Sequence, residues 1–127
     1  MRDLIIATLA ITLLIGGWLV FIHYASDQTH AFRKEIEEEI LPGIEAENWE
    51  SVQKHMDTLN HDWHKFRRLS LFFLDTHTIT EIDYSLAKSI RYARACDVSN
   101  SSGELASIVE QFSFLIEDES LSPKNIF

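Results

Sequence analysis

Cysteine occurs once in these 127 residues, at Cys96. A lone cysteine closes no internal disulfide and builds no cysteine-rich zinc module, and it leaves the redox compartment open. Basic residues are scarce too, with 11 Lys and Arg against 20 Asp and Glu, for a net charge of −9. All but Arg2 and Asp3 of these charges lie beyond residue 22. Phosphate backbones need a basic surface, so nucleic-acid binding is disfavoured. Lying flat on anionic lipid is disfavoured for the same reason. Catalytic signatures are missing: there is no GxSxG, no glycine-rich phosphate loop, no HExxH and no cysteine beside a candidate base. Glu81 and Asp83 stand near a predicted helix start, where carboxylates complement the helix dipole. Neither an enzyme nor a cofactor is expected.

What the chain has instead is one long apolar run. Leu4 to Ile22 reads LIIATLAITLLIGGWLVFI, without a charged residue. At 1.5 Å per residue it roughly matches a bilayer core of about 30 Å. It is long for a buried core helix and for the apolar part of a signal peptide. Cleavage after Ala25 would place His23 at the −3 position, a poor fit, and no cysteine follows to make a lipoprotein signal. The run reads as an uncleaved transmembrane anchor over residues 4–22, after a tail of residues 1–3 and before a helical domain of residues 23–127. Arg2 and the terminal amine favour a cytoplasmic N-terminus and an extracytoplasmic domain. Asp3, Arg33 and Lys34 weigh the other way. Thr8, Thr12 and Gly16 fall four apart, with Gly17 beside them, a smooth stripe on which another helix can pack. The plain alternative is that small residues are common in membrane helices. Trp18 and Tyr24 lie towards the outer end, where amphipathic rings favour the interface.

Beyond the anchor the periodicity is helical throughout. Phe32, Ile36 and Ile40 form one apolar stripe, with Lys34 to Glu39 on the wet side, and Pro42-Gly43 is expected to end this helix. Asn48 caps a second helix. Its seam is Trp49, Val52, Met56, Leu59, Trp63, Phe66 and Phe73, with Ser70 filling the gap. Asp75 to Thr78 reads as a turn, and Thr78-Ile79-Thr80-Glu81 as a capping box that opens a third helix. That helix carries Ile79, Ile82, Leu86, Ile90 and Ala93 inward. Asp97 to Ser102 reads as a polar loop, and Ser101-Ser102-Gly103-Glu104 opens the last helix, with Leu105, Ile108, Val109, Phe112, Leu115 and Ile116 inward. The expected fold is all-α: a single N-terminal transmembrane helix followed by a small antiparallel bundle of about four helices.

The stretch Asn48–Phe66 carries most of the chemistry-bearing side chains. His61 and His64, three apart, share a side and are the metal candidates. Asp57, His30 or His77 would have to supply further ligands. A polar helix face flanking an apolar seam is the preferred reading, and no metal site is assigned. Lys88, Arg91 and Arg94 form a basic strip that could pair with Glu35 to Glu39 or hold an anion; internal pairing or plain solvation is the preferred reading. Leu69, Leu71, Phe72, Phe73 and Leu74 are apolar nearly all round, so this segment is buried on several sides or touches a partner or the membrane. Leu69 and Phe72 are the partner-contact candidates there. The terminal Ile126-Phe127 either tucks against the bundle or docks on a partner. Asn100-Ser101-Ser102 matches a glycosylation sequon, a pattern too common to carry weight.

Taken in order, MRDLII with GGW, the NW…W pair on the second helix, EIDYSLA on the third and the terminal NIF resemble the domain of unknown function 4363 family. The likeness covers nearly the whole chain. The connection DVSNSSGE departs from the charged, helix-rich connection usual in that family. The resemblance implies a small membrane-anchored bacterial protein with an outer helical domain, and it brings no activity, cofactor or catalytic residue. It also implies gene neighbourhoods with multi-pass membrane proteins of the domain of unknown function 421 family, and so a membrane-protein partner. The functional expectation is a non-enzymatic interaction module working beside a bacterial membrane protein, or self-associating. The alternative is an extracytoplasmic ligand- or metal-sensing domain.

Overall fold

The computed structural model describes the backbone of residues 1–119 and the side chains of residues 1–115. Ile126 and Phe127 lie outside the described residues. Four helices account for nearly all of it: α1 (Arg2–Glu45), α2 (Trp49–Ser70), α3 (Thr76–Arg94) and α4 (Val98–Glu119). No strand occurs among the described residues. Three short connections make sequence neighbours antiparallel. The fold is therefore all-α, with one long apolar N-terminal helix running into a four-helix bundle.

α1 changes character along its length. From Leu4 to Val20 its large apolar side chains are mostly exposed. From Phe21 onward one face is buried: Phe21, Ala25, Thr29, Phe32, Ile36, Ile40 and Ile44. These positions recur mostly every four residues, and in a helix of 3.6 residues per turn each step of four drifts by about 40°. A π-helical turn over Ile36–Ile40 takes up one extra residue and brings the stripe back towards the core.

The same wide turn explains why Pro42-Gly43 does not end the helix, as the sequence suggested. A proline ring clashes with the carbonyl four residues back in a regular α-helix and offers no N–H to it. Here that carbonyl, of Glu38, sits in the π turn, and the Leu41 N–H reaches back to Ile36 instead. The helix runs on to Glu45. It closes with Glu47 at φ 55°, and the Asn48 N–H donates to the Gly43 carbonyl at 2.9 Å. Gly43 itself is needed for space, because a Cβ there would meet Val52 Cγ2 at 2.9 Å.

Two other helix starts lie earlier than the capping-box patterns indicated. Asp75 caps α3, taking the backbone N–H groups of His77 and Thr78, each at 3.3 Å. Asp97 opens α4, taking the Asn100 N–H at 3.0 Å. Aspartate is as good an N-cap as serine or threonine, so the first suitable side chain in each turn wins. Ser101, placed in a loop by sequence, is a fully buried helical residue. α2 ends at Ser70, so Phe73 leaves the predicted seam and falls in the α2–α3 turn.

The core is one cluster drawn from all four helices. α3 and α4 lie closest together. α3 buries Ser85, Ser89 and Ala93 at four-residue spacing, and such small side chains let helix backbones approach. Ile90 and Val109, predicted inward, are half-buried at the edge, as is Trp49.

The α1–α2 corner yields a paired prediction. Gly43→Ala lowers stability by about 1–3 kcal/mol, because the stiff, buried Val52 cannot yield. Glu47→Gly raises it by about 0.5–1 kcal/mol, because glycine takes the left-handed conformation without strain. Thermal melts of the two variants should move in opposite directions.

Candidate functional site

The histidines do not converge. His61 is exposed, and His64 is exposed with Nδ1 2.9 Å from the Asn60 carbonyl. Among the described residues no group of three or more His, Cys, Asp or Glu side chains is placed to hold a metal ion. His55 faces α1 instead, with Nδ1 3.3 Å from Glu35 and Nε2 3.8 Å from Glu39. It thus clips α2 to the start and end of the π turn. His77 lies 3.1 Å from Glu81 on its own helix.

The best-defined polar cluster is structural. Asp83 on α3 accepts the Trp63 indole N–H on one oxygen and the Arg67 Nε–H on the other, both at 2.6 Å. Each carboxylate oxygen thus serves α2, and the indole's one donor is satisfied in the core. The basic strip does not meet Glu35–Glu39: Lys88 pairs with Glu104 at 3.2 Å. Arg94 lines a recess of about 180 Å³ with Gln53, Met56, Asp57, Ile90 and Ala93. A larger recess of about 260 Å³ is lined by His30, Arg33, Lys34, Glu37 and Glu38, all from α1. Small-molecule sites are typically concave and mostly apolar. Both of these recesses carry charged side chains in their lining.

Two apolar surfaces stand out among the described residues. Thr8, Thr12 and Gly16 lie on the exposed part of α1. The Thr8 hydroxyl donates to the Leu4 carbonyl and the Thr12 hydroxyl to the Thr8 carbonyl, each at 2.8 Å. A Cβ on Gly16 would meet nothing within 4 Å. The stripe is smooth, internally hydrogen-bonded and open. The second surface is the α2–α3 turn. Leu74 is buried and Leu71 half-buried, while Leu69, Phe73 and above all Phe72 are exposed. Sequence reasoning found the apolar character of this turn but not its neighbour. Phe73 stacks on Phe21 with centroids 4.4 Å apart and meets Trp18 at 6.1 Å. The signal was the aromatic spacing of Trp18, Phe21 and Tyr24, which places three rings around one side of α1.

These features define a small all-helical module joined to a helix long and apolar enough to cross a membrane. The family described as a domain of unknown function (DUF4363) matches residues 19–126, and the chain belongs to it. The match begins where α1 starts to enter the bundle and leaves out most of the apolar run. No curated protein and no solved structure matches the chain.

The caps titrate in a predictable direction. The Thr78 hydroxyl, with the His77 and Thr78 backbone N–H groups, holds the Asp75 carboxyl below its ordinary value of 3.8. The Asn100 backbone N–H and side-chain amide do the same for Asp97. A lowered native pKa means stability that is complete above the ordinary value and lost as pH falls through the native one. Asparagine caps without titrating. The double variant Asp75→Asn, Asp97→Asn should therefore lose less melting temperature than the parent between pH 5 and pH 2. An equal loss would show that these caps do not contribute.

Proposed function

We propose that this chain is a non-enzymatic, single-pass membrane-anchored helical module that works beside a membrane protein. In this reading its N-terminus is cytoplasmic and its bundle extracytoplasmic. The observation that carries the reading is the continuity of α1. One helix presents exposed apolar side chains from Leu4 to Val20 and then, without a break, supplies a central face of the bundle core. Such a helix holds a domain at a fixed height above a bilayer rather than tethering it on a loose linker. Thr8, Thr12 and Gly16 are the residues that would meet the partner's helices, because small side chains allow close packing in lipid.

The test is a mild-detergent pull-down of tagged full-length protein from its native membrane, beside the triple variant Thr8→Leu, Thr12→Leu, Gly16→Leu. The expected result is a carbonate-resistant membrane protein that co-purifies with one integral partner, and a triple variant that stays in the membrane but loses it. Release by carbonate removes the anchor. Partner retention by the triple variant removes the stripe. A second copy of this chain as the partner replaces a heterologous complex with self-association.

A further inference from the structure

We infer that the α2–α3 turn is a second membrane contact, in which Phe72, with Leu69 and Phe73, enters the lipid interface beside the outer end of the apolar helix. The inference rests on the anchored reading above and adds where the bundle itself meets lipid.

Three observations carry it. The first is exposure. Phe72 is 82% exposed, Leu69 47% and Phe73 39%, a contiguous apolar group at one turn. The second is level. Phe73 stacks on Phe21 and touches Trp18. Phe21 lies about 26 Å along the helix from Leu4 at 1.5 Å per residue, close to the edge of an apolar layer about 30 Å thick. Phe73 thus joins the turn to α1 at Trp18 and Phe21, next to the exposed apolar surface that ends at Leu19 and Val20, and Phe72 is its neighbour in the turn. The third is backbone satisfaction. The N–H groups of Leu71, Phe72, Phe73 and Leu74 donate to Arg67, Leu69, Ser70 and Ser70 carbonyls at 2.8–3.3 Å. A loop that leaves water must satisfy its backbone polar groups internally, and the N–H groups of this one are satisfied.

The chemistry of the surface selects the lipid. The turn presents rings and a leucine, with Arg67 and Arg68 in the last turn of α2 and Asp75 opening α3 on either side. The inserted group is apolar and needs no anionic headgroup, so a zwitterionic surface suffices. Two anchorage points, the helix and the turn, fix the tilt of the bundle where one alone would leave it free.

The experiment uses full-length protein in phosphatidylcholine vesicles, with Cys96→Ser and one new cysteine for a polarity-sensitive fluorophore: Thr76→Cys beside the turn, Leu19→Cys in the apolar helix, or Glu50→Cys at the far end. Phe72 stays native. Nitroxide-bearing phosphatidylcholine should quench the Leu19 and Thr76 reporters several-fold more than the Glu50 reporter. Adding Phe72→Ser should abolish quenching at Thr76 and leave Leu19 unchanged. Quenching at Leu19 without quenching at Thr76 overturns the inference and leaves the anchor intact. No quenching at Leu19 overturns the anchored reading itself. A Thr76 reporter shielded from both lipid and aqueous iodide is covered by protein, and that also overturns the lipid contact. Unchanged helical circular dichroism in Phe72→Ser, expected for so exposed a side chain, excludes misfolding as the cause.

Discussion

Trp63 touches every helix of the bundle. Its ring meets Phe32 of α1 at 6.3 Å, Phe66 of its own α2 at 5.7 Å and Phe112 of α4 at 5.7 Å, and its indole N–H donates to Asp83 of α3. The side chain is fully buried. Offset and edge-on rings at these separations add specific attraction to their area burial. The hydrogen bond removes the penalty of an unsatisfied indole donor. Asp83 in turn holds Arg67, one turn along α2, so a single aromatic knot sets both the spacing of the helices and the register of α3 on α2.

The knot matters because Phe32 belongs to the same helix as the apolar run. The position of the bundle relative to Leu4–Val20 follows from how α1 passes through the core. The π turn at Ile36–Ile40 is the adjustment that allows it, since a strict α-helix would carry Ile40 and Ile44 off the buried face. His55, between Glu35 and Glu39, spans that turn from α2. Aromatic contacts fix the other end, where Phe73 and Phe66 lie against Phe21 and Tyr24. The bundle is therefore held to α1 on both sides of the knot, with an apolar extension beyond one end.

Much of this was legible in the residues. The apolar run, the helical periods, the inward faces and the Trp63 seam all follow from spacing, because burial of one helix face is a strong sequence signal. Helix ends were less legible. Competing caps stood close together, as at Asp75 and Thr78, and sequence does not rank them. Pro42-Gly43 misled for a different reason. A π turn cannot be seen in residue types, and it removes the clash that makes proline a stop signal. The candidate surfaces divide the same way. The apolar nature of Leu69–Leu74 was plain, but its place beside Trp18 and Phe21 depends on tertiary packing. The basic strip was visible, but Glu104, the partner of its Lys88, sits on another helix whose rotation the sequence does not give.

The central claim is that one rigid helix couples the apolar run to the bundle. Hydrogen exchange of the full-length protein in lipid vesicles tests it most directly, read residue by residue from Trp18 to Glu45. An unbroken helix predicts protection that is continuous across Ile22 to Thr29, where the exposed run hands over to the core, with local weakening confined to the π turn. Fast exchange across Ile22 to Thr29 would reveal a hinge, and a hinged bundle would contradict the account.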